Sequence, residues 1–355
     1  MAKILMKGNE AIAEAAIRAD ADVYFGYPIT PQNEIPEYLA RDMPKHGKVF
    51  LQSESELAGI NMCMGAAAAG ARAFVSSSSP GVALMLECIS SMTLTRLPCV
   101  VINMVRSGPG MGDLKPAQED YRMCGNGAYR IPTLLPASIQ EAMNFTFEAF
   151  DIADQYRTPV MVLADGMIGQ MMEAVDFDKL PARRENLPEK DWIVYNRKAK
   201  GGKRRQMSLH PDGNLAFVTQ MLETEVYPQI LAKEGRVEEI GTEDADLVLC
   251  AYGTASRYCR VAMEDMSKEL NIKIGLIRPM TAWPFRYDAF DRIGPKCKAI
   301  IVPEICIMGQ MIDDARIGAA GRWPVYHCGN TINGPLTPED IYEKIRTVWE
   351  EVKTC

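Results

Sequence analysis

Val23-Tyr24-Phe25-Gly26-Tyr27-Pro28-Ile29-Thr30-Pro31 is the stretch that decides the fold of the first half of this chain. An apolar run of strand character ends in a Gly and two prolines, and each pyrrolidine ring fixes its own φ while driving the preceding residue out of the helical region. The strand must therefore stop in a stiff extended turn, with Thr30 held at its carboxyl end. Parallel α/β sheets place their ligands at that end.

Outward from this turn, helix and strand alternate from Asn9 to about Asp165. Ala11, Ile12, Ala15, Ala16 and Ala19 recur at helical spacing before it. After it the pattern predicts a helix rich in Ala and Gly from Glu56 to Gly70, a strand at Ala73–Val75, a helix from Val82 to about Met92 and a strand at Cys99–Val105. Ser138 and Glu141 form a capping-box pattern opening a helix to about Ala153, ahead of a buried strand at Pro159–Leu163. Such alternation predicts a parallel sheet covered on both faces. Between Asp176 and Thr242 the periodicity fades, and Pro181, Pro188, Pro211 and Pro228 punctuate a charged stretch that reads as an irregular connector wrapping the surface or a partner. A second series follows, with strands at Leu247–Ala251, Ile274–Ile277 and Ile300–Pro303, a helix at Ser256–Leu270, and a last helix from Pro338 to about Val352 capped by Thr337. The expected fold class is α/β: two three-layer domains with mainly parallel sheets, 1–175 and 243–355, joined by 176–242.

Composition removes several function classes. The 355 residues are 47% hydrophobic and 24% charged, ordinary for globular protein, and the net charge of -7 lacks the basic footprint of a nucleic-acid binder. The one basic run, Arg197 to Arg205, reads as a solvated loop. Ten cysteines are present, but the closest pairs stand nine residues apart, so neither an iron-sulfur cluster nor a metal site is expected in this chain. Cys63, Cys99 and Cys250 sit in apolar runs, where a reduced thiol behaves as a small hydrophobe and suits a cytoplasmic protein. The amino terminus lacks a signal-peptide core and no apolar run approaches ~18 residues, so the chain is expected to be soluble, unexported and free of the membrane. It also has no G-x-G-x-x-G after its first strand, no P-loop and no Gly-Asp-Gly segment to hold a metal diphosphate; His46, His210 and His327 show no ligand spacing. A self-contained NAD or ATP enzyme is not expected.

Three places could carry chemistry. Glu56 opens the small-residue helix, where burial would raise a carboxyl pKa, although spacing alone favours the plainer role of an acid complementing a helix end. Glu54 competes with it. Ser76-Ser77-Ser78-Ser79-Pro80-Gly81 follows a strand and precedes a helix, so it is either a polar cradle or an ordinary turn. Arg106, at a strand end beside Gly108-Pro109-Gly110-Met111-Gly112, suits bidentate binding of a carboxylate, with a structural salt bridge as the alternative.

Gly26 to Pro31, the Glu56 helix, the Ser76 to Gly81 turn and Arg106 to Gly112 together resemble the α subunit of 2-oxoacid:ferredoxin oxidoreductases. The resemblance extends across both domains. Lys7-Gly8-Asn9-Glu10-Ala11 and Pro31-Gln32-Asn33-Glu34-Ile35-Pro36 look like the branched-chain, 2-oxoisovalerate type. It implies a first domain that binds the aminopyrimidine of thiamine diphosphate and a second like the carboxy-terminal domain of transketolase. Tyr27, Pro28, Ile29, Ser78 and Ser79 would then line the cofactor. Thr30 and Arg106 would meet the substrate, and Glu56 would be the activating acid, favoured over Glu54 by the later spacing of Gly65 and Gly70. The loop has Gly-Pro-Gly-Met-Gly where the family usually has Gly-Pro-Ser-Thr-Gly. The resemblance further implies a β subunit bringing the diphosphate and Mg2+ site and a 4Fe-4S cluster, γ and ferredoxin-like δ subunits, ferredoxin as acceptor, coenzyme A as co-substrate, and a dimer of heteromers. The alternatives are a 2-oxoglutarate enzyme, in which Arg122 or Arg130 would meet the distal carboxylate, the β subunit of a lipoamide-dependent dehydrogenase, and a non-catalytic interaction subunit.

Overall fold

A computed structural model describes residues 3–108, 113–125, 129–194, 215–330 and 334–354. Its strands, in chain order, are β1 (Ile4–Lys7), β2 (Val23–Gly26), β3 (Val49–Gln52), β4 (Ala73–Ser77), β5 (Cys99–Val105), β6 (Thr133–Leu134), β7 (Pro159–Asp165), β8 (Met172–Val175), β9 (Val237–Ile240), β10 (Leu247–Cys250), β11 (Ile274–Pro279), β12 (Thr281–Trp283), β13 (Ala299–Pro303) and β14 (Val325–Cys328). They form a seven-stranded sheet in the order β12-β6-β7-β5-β4-β2-β3, a five-stranded sheet in the order β14-β13-β10-β11-β9, and a β1-β8 ribbon. Pairing is parallel from β3 to β6 and from β11 to β14; β12 and β9 add antiparallel edges.

The continuous apolar reading of β5 and β7 follows from burial on both faces. Along β5, Val101 and Val105 enter one core while Val100, Ile102 and Met104 enter the other. The first of these cores does not stop at the first sheet. It runs through Tyr121 and Tyr252 to Val248, Ile300 and Val302 of the second, so the two sheets share apolar packing.

Two differences from the sequence reading have physical causes. The capping box at Ser138 is half made: Ser138 Oγ accepts the Glu141 N–H, but the Glu141 carboxylate takes the Ala137 N–H and pairs with Arg278. The connector is not irregular to its end. Residues 215–234 are helical, because Val218, Leu222, Val226, Tyr227 and Ile230 bury against the first domain's core, and a π turn at Leu222–Val226 leads into the segment Tyr227–Glu234, whose second residue is Pro228. β9, also placed in the connector, is an edge strand of the second sheet. The basic run 197–205 and residues Pro109 to Gly112 lie outside the described residues.

Candidate active site at the carboxyl edge of the first sheet

The turn after β2 is held from beneath and open above. Gly26 is required there, since a Cβ would meet Tyr24 Oη at 2.1 Å. That hydroxyl hydrogen-bonds Ser76 Oγ (2.8 Å); Ser76 Oγ donates to Gln32 Oε1 (2.6 Å), and Gln32 Nε2 donates to the Tyr27 carbonyl (3.1 Å). Asn9 Nδ2 and Gln170 Nε2 both donate to the Pro31 carbonyl, at 2.7 and 2.8 Å. Pro31 and Gln32 are buried, whereas Tyr27, Pro28 and Thr30 are exposed and Ile29 is half-buried.

Across from the turn, Ser55 caps the helix Glu56–Ala68 by accepting the Ala58 N–H at 3.2 Å. The cap fixes which acid turns inward. Glu56 is 8% exposed and lies over Gly81, where a Cβ would stand 2.7 Å from Glu56 Oε1 and 2.0 Å from Ser77 Oγ. Glu54 points to solvent and accepts the Ser55 hydroxyl at 2.9 Å.

The Ser76 to Ser79 run divides its hydroxyls between structure and vacancy. Ser79 Oγ donates to the Arg106 carbonyl (2.9 Å) and accepts the Arg106 N–H (3.1 Å), tying the ends of β4 and β5 together. Ser77 and Ser78 hydroxyls are buried and have no partner among the described residues. Ser78 stands at the N-cap of the helix Ser79–Leu94 without capping it. Arg106 Nη1 donates to the Thr30 carbonyl at 2.9 Å, and its buried Nε is unpartnered; no ion pair involves Arg106 among the described residues. Thr30, Glu56, Ser77, Ser78 and Arg106 therefore occupy one edge.

Behind Arg106 sits an acid that the sequence reading missed. Asp120 is fully buried, accepts Asn103 Nδ2 at 2.9 Å on Oδ2, and has no partner on Oδ1. Burial pushes its carboxyl up to about 6, against the opposing pull of Ser79 and Asn103. Asn9, Gln32 and Gln170 were missed too. Asn9 stood within a quoted motif, but an amide that binds main chain has no local signature.

A family model described as pyruvate flavodoxin/ferredoxin oxidoreductase, thiamine diphosphate-binding, matches residues 14–239, and pyruvate:ferredoxin oxidoreductase core domain II matches residues 245–341. The chain belongs to the 2-oxoacid:ferredoxin oxidoreductase family. Among its relatives, ketoisovalerate oxidoreductase subunit VorB of Methanothermobacter thermautotrophicus is 39% identical over 354 residues, 98% of each chain. A 2-oxoglutarate:ferredoxin oxidoreductase from Magnetococcus marinus, solved with 2-oxoglutarate, coenzyme A and succinyl-CoA bound, aligns at TM-score 0.83 and 25% identity over 97% of this chain; this chain spans 65% of that one. A split-gene transketolase in an inactive β4 tetramer aligns at TM-score 0.62 and 13% identity over 96% of this chain and 97% of its own, a likeness of fold. As a subunit of this oxidoreductase family, the chain has residues that suit thiamine diphosphate: an inward carboxyl at a glycine that leaves it room, beside two buried hydroxyls in need of partners. No helix among the described residues is long and apolar enough to cross a membrane.

Proposed function

We propose that this chain holds the aminopyrimidine half of thiamine diphosphate and the 2-oxoacid carboxylate in a complex that converts 2-oxoisovalerate and related branched-chain 2-oxoacids to acyl-CoA and CO2, with ferredoxin as acceptor. The observation that carries the reading is the inward Glu56 over Gly81, beside the unpartnered Ser77 and Ser78 hydroxyls and Arg106. When bound, the cofactor supplies the carbon nucleophile and electron sink for decarboxylation. The chain's own residues do the rest. Glu56, turned inward over Gly81, would exchange a proton at Oε1 as an acid-base group. Ser77 and Ser78 donate or accept at the ring edge. Arg106 retains guanidinium N–H groups for the substrate carboxylate while Nη1 fixes Thr30, so the turn and the substrate are positioned by one side chain.

The branched-chain substrate is favoured by the state of Arg122. Arg122 pairs with Asp313 at 2.6 Å, which leaves it neutralised rather than free to meet a second carboxylate. Arg130 is exposed; its main-chain N–H donates to Tyr227 Oη at 3.1 Å, which does not engage its guanidinium. Exposed Tyr27, Pro28 and Thr30 suit a site closed by a partner, and the complex is read as working in the cytoplasm with a β subunit that carries diphosphate, Mg2+ and a cluster, and with γ and ferredoxin-like δ subunits.

The purified complex, assayed for coenzyme A-dependent reduction of a low-potential viologen, should turn over fastest with 2-oxoisovalerate, ahead of pyruvate and 2-oxoglutarate. A preference for 2-oxoglutarate would overturn the substrate assignment. Strict dependence on lipoamide would overturn the reaction.

A further inference from the structure

At the carboxyl ends of β13 and β14 stands a group of side chains that the proposed reaction leaves unused. Glu304 follows β13 and is fully buried. Its carboxylate accepts the N–H groups of Gln310 (3.0 Å), Met311 (2.8 Å) and Ile312 (3.0 Å). The Gln310 N–H reaches both oxygens, at 3.1 Å from Oε1, and the Cys306 thiol is the remaining donor, so a cation would take the place of the thiol proton. Cys306 Sγ lies 4.0 Å from Oε2. His327, on β14, completes the group: one donor atom from each of Glu304, Cys306 and His327 falls within 4.8 Å of the other two. His327 Nε2 is buried and has no hydrogen-bond partner among the described residues.

Glycines make the space. A Cβ on Gly329 would stand 2.3 Å from His327 Cε1, and one on Gly309 would stand 3.0 Å from His327 Nε2. As it stands the arrangement is costly, because an orphaned buried nitrogen loses roughly 1 to 3 kcal/mol of hydration. A divalent cation would balance one carboxylate and one thiolate, and would give the imidazole its partner. The donor set of one sulfur, one nitrogen and one oxygen suits the borderline ions of the zinc class rather than Mg2+ or Ca2+. The three main-chain N–H groups on Glu304 would then act as the outer contacts that fix a ligand's orientation.

We propose that Glu304, Cys306 and His327 form a mononuclear site for a zinc-class divalent cation, with water in the fourth position on the half-buried side of His327. Binding releases the Cys306 thiol proton to solvent. The ion would brace the segment behind the active site, because Ile305 N–H donates to Gln118 Oε1, Gln310 Nε2 donates to the Glu119 carbonyl, and Arg122 N–H donates to Gln310 Oε1. The proposal is independent of the substrate assignment. Its third ligand, His327, lies 21 residues beyond Cys306, a separation that spacing rules do not reveal.

The test is a titration of the metal-stripped full chain with Co2+ under anaerobic conditions. A thiolate-to-cobalt charge-transfer band and tetrahedral visible bands should grow to saturation at one equivalent. Cys306→Ser should abolish the charge-transfer band. His327→Gln should weaken binding by more than the roughly 10- to 100-fold that loss of an outer contact costs, with the far-ultraviolet dichroism unchanged. In the assembled complex, elemental analysis should find one zinc-class ion per copy of this chain, lost in Cys306→Ser. Either the absence of that ion and of a cobalt band in the wild-type protein, or persistence of the charge-transfer band in Cys306→Ser, would overturn the site whatever the folding of the variants.

Discussion

The carboxyl edge of the first sheet and the joint where that sheet meets the second are made from the same residue types, used differently. At the joint the polar side chains around Asp165, Gln118 and Arg278 find partners among the described residues. Asp165 accepts the Thr254 N–H (2.8 Å), Thr254 Oγ1 (2.6 Å) and Gln118 Nε2 (3.4 Å); Gln118 also donates to the Tyr252 carbonyl (3.0 Å) and accepts the Ile305 N–H (2.9 Å). Arg278, buried, pairs with Glu141 and Glu238. At the edge, Ser77 Oγ, Ser78 Oγ, Arg106 Nε and Asp120 Oδ1 are buried without partners among the described residues. Each such group costs roughly 1 to 3 kcal/mol, so a cluster of them persists where something else in the working complex meets them. The paired groups hold the scaffold, and the edge gathers four unpaired ones, although single unpaired atoms such as Tyr121 Oη and Thr158 Oγ1 also occur elsewhere.

The strongest way to break that contrast is Glu56→Gln, which keeps the shape of the side chain and removes its proton transfer. Turnover of the complex should fall by about two orders of magnitude or more, the scale of lost acid-base catalysis, with thermal stability retained. Unchanged turnover would leave the non-catalytic reading standing.

A paired experiment sharpens it. Ser77→Ala with Ser78→Ala removes no side-chain hydrogen bond among the described residues, so the stability of the isolated chain should hold or rise, while cofactor retention by the complex weakens by about tenfold per lost hydrogen bond. Thr254→Val at the joint should do the reverse: about 1 to 3 kcal/mol less stability in denaturant unfolding, with retention unchanged. If both variants shift the same quantity, the distinction between the two regions fails.

Asp120 allows a pH test. Its folded carboxyl is raised to about 6, so between roughly pH 4 and 6 the native state holds a proton that the unfolded chain has released. Stability should therefore fall as pH rises through that window, by up to about 1.4 kcal/mol per pH unit, and Asp120→Asn should flatten the fall. The smallest effect belongs to a region remote from the edge. Thr337→Ala breaks the capping box of the helix Pro338–Val352 and should cost about 1 kcal/mol with no change in turnover.

What the sequence made legible was what local chemistry dictates. Gly26, Pro28 and Pro31 announce their turn because their backbones have few choices, β5 and β7 read as apolar runs because both faces are buried, and Thr337-Pro338 marks a helix start by its capping and its missing amide. β3 was not legible: it is an exposed edge strand, with Val49 48% exposed, and shows no alternation. Pro211 and Pro228 were read as breakers, though Pro228 is the second residue of a helical segment. In the site, Arg106 and Glu56 were visible as candidates, but the choice between Glu56 and Glu54 rests on which acid the Ser55 cap turns inward. Asp120 and the amides under Pro31 act through neighbours 17 to 139 residues away, a separation that local patterns do not carry.

β12 gives the first sheet an edge drawn from the second half of the chain: Thr281 and Trp283 pair with Leu134 and Thr133. During synthesis, β6 leaves the ribosome roughly 150 residues, on the order of ten seconds, before its outer neighbour exists. The first sheet cannot be finished in the order in which it is made. A nascent chain halted before Thr281 would carry the turn after β2 on an unfinished sheet, and a gene cut at the linker would leave the first product without its outer strand and the second with β12 unpaired.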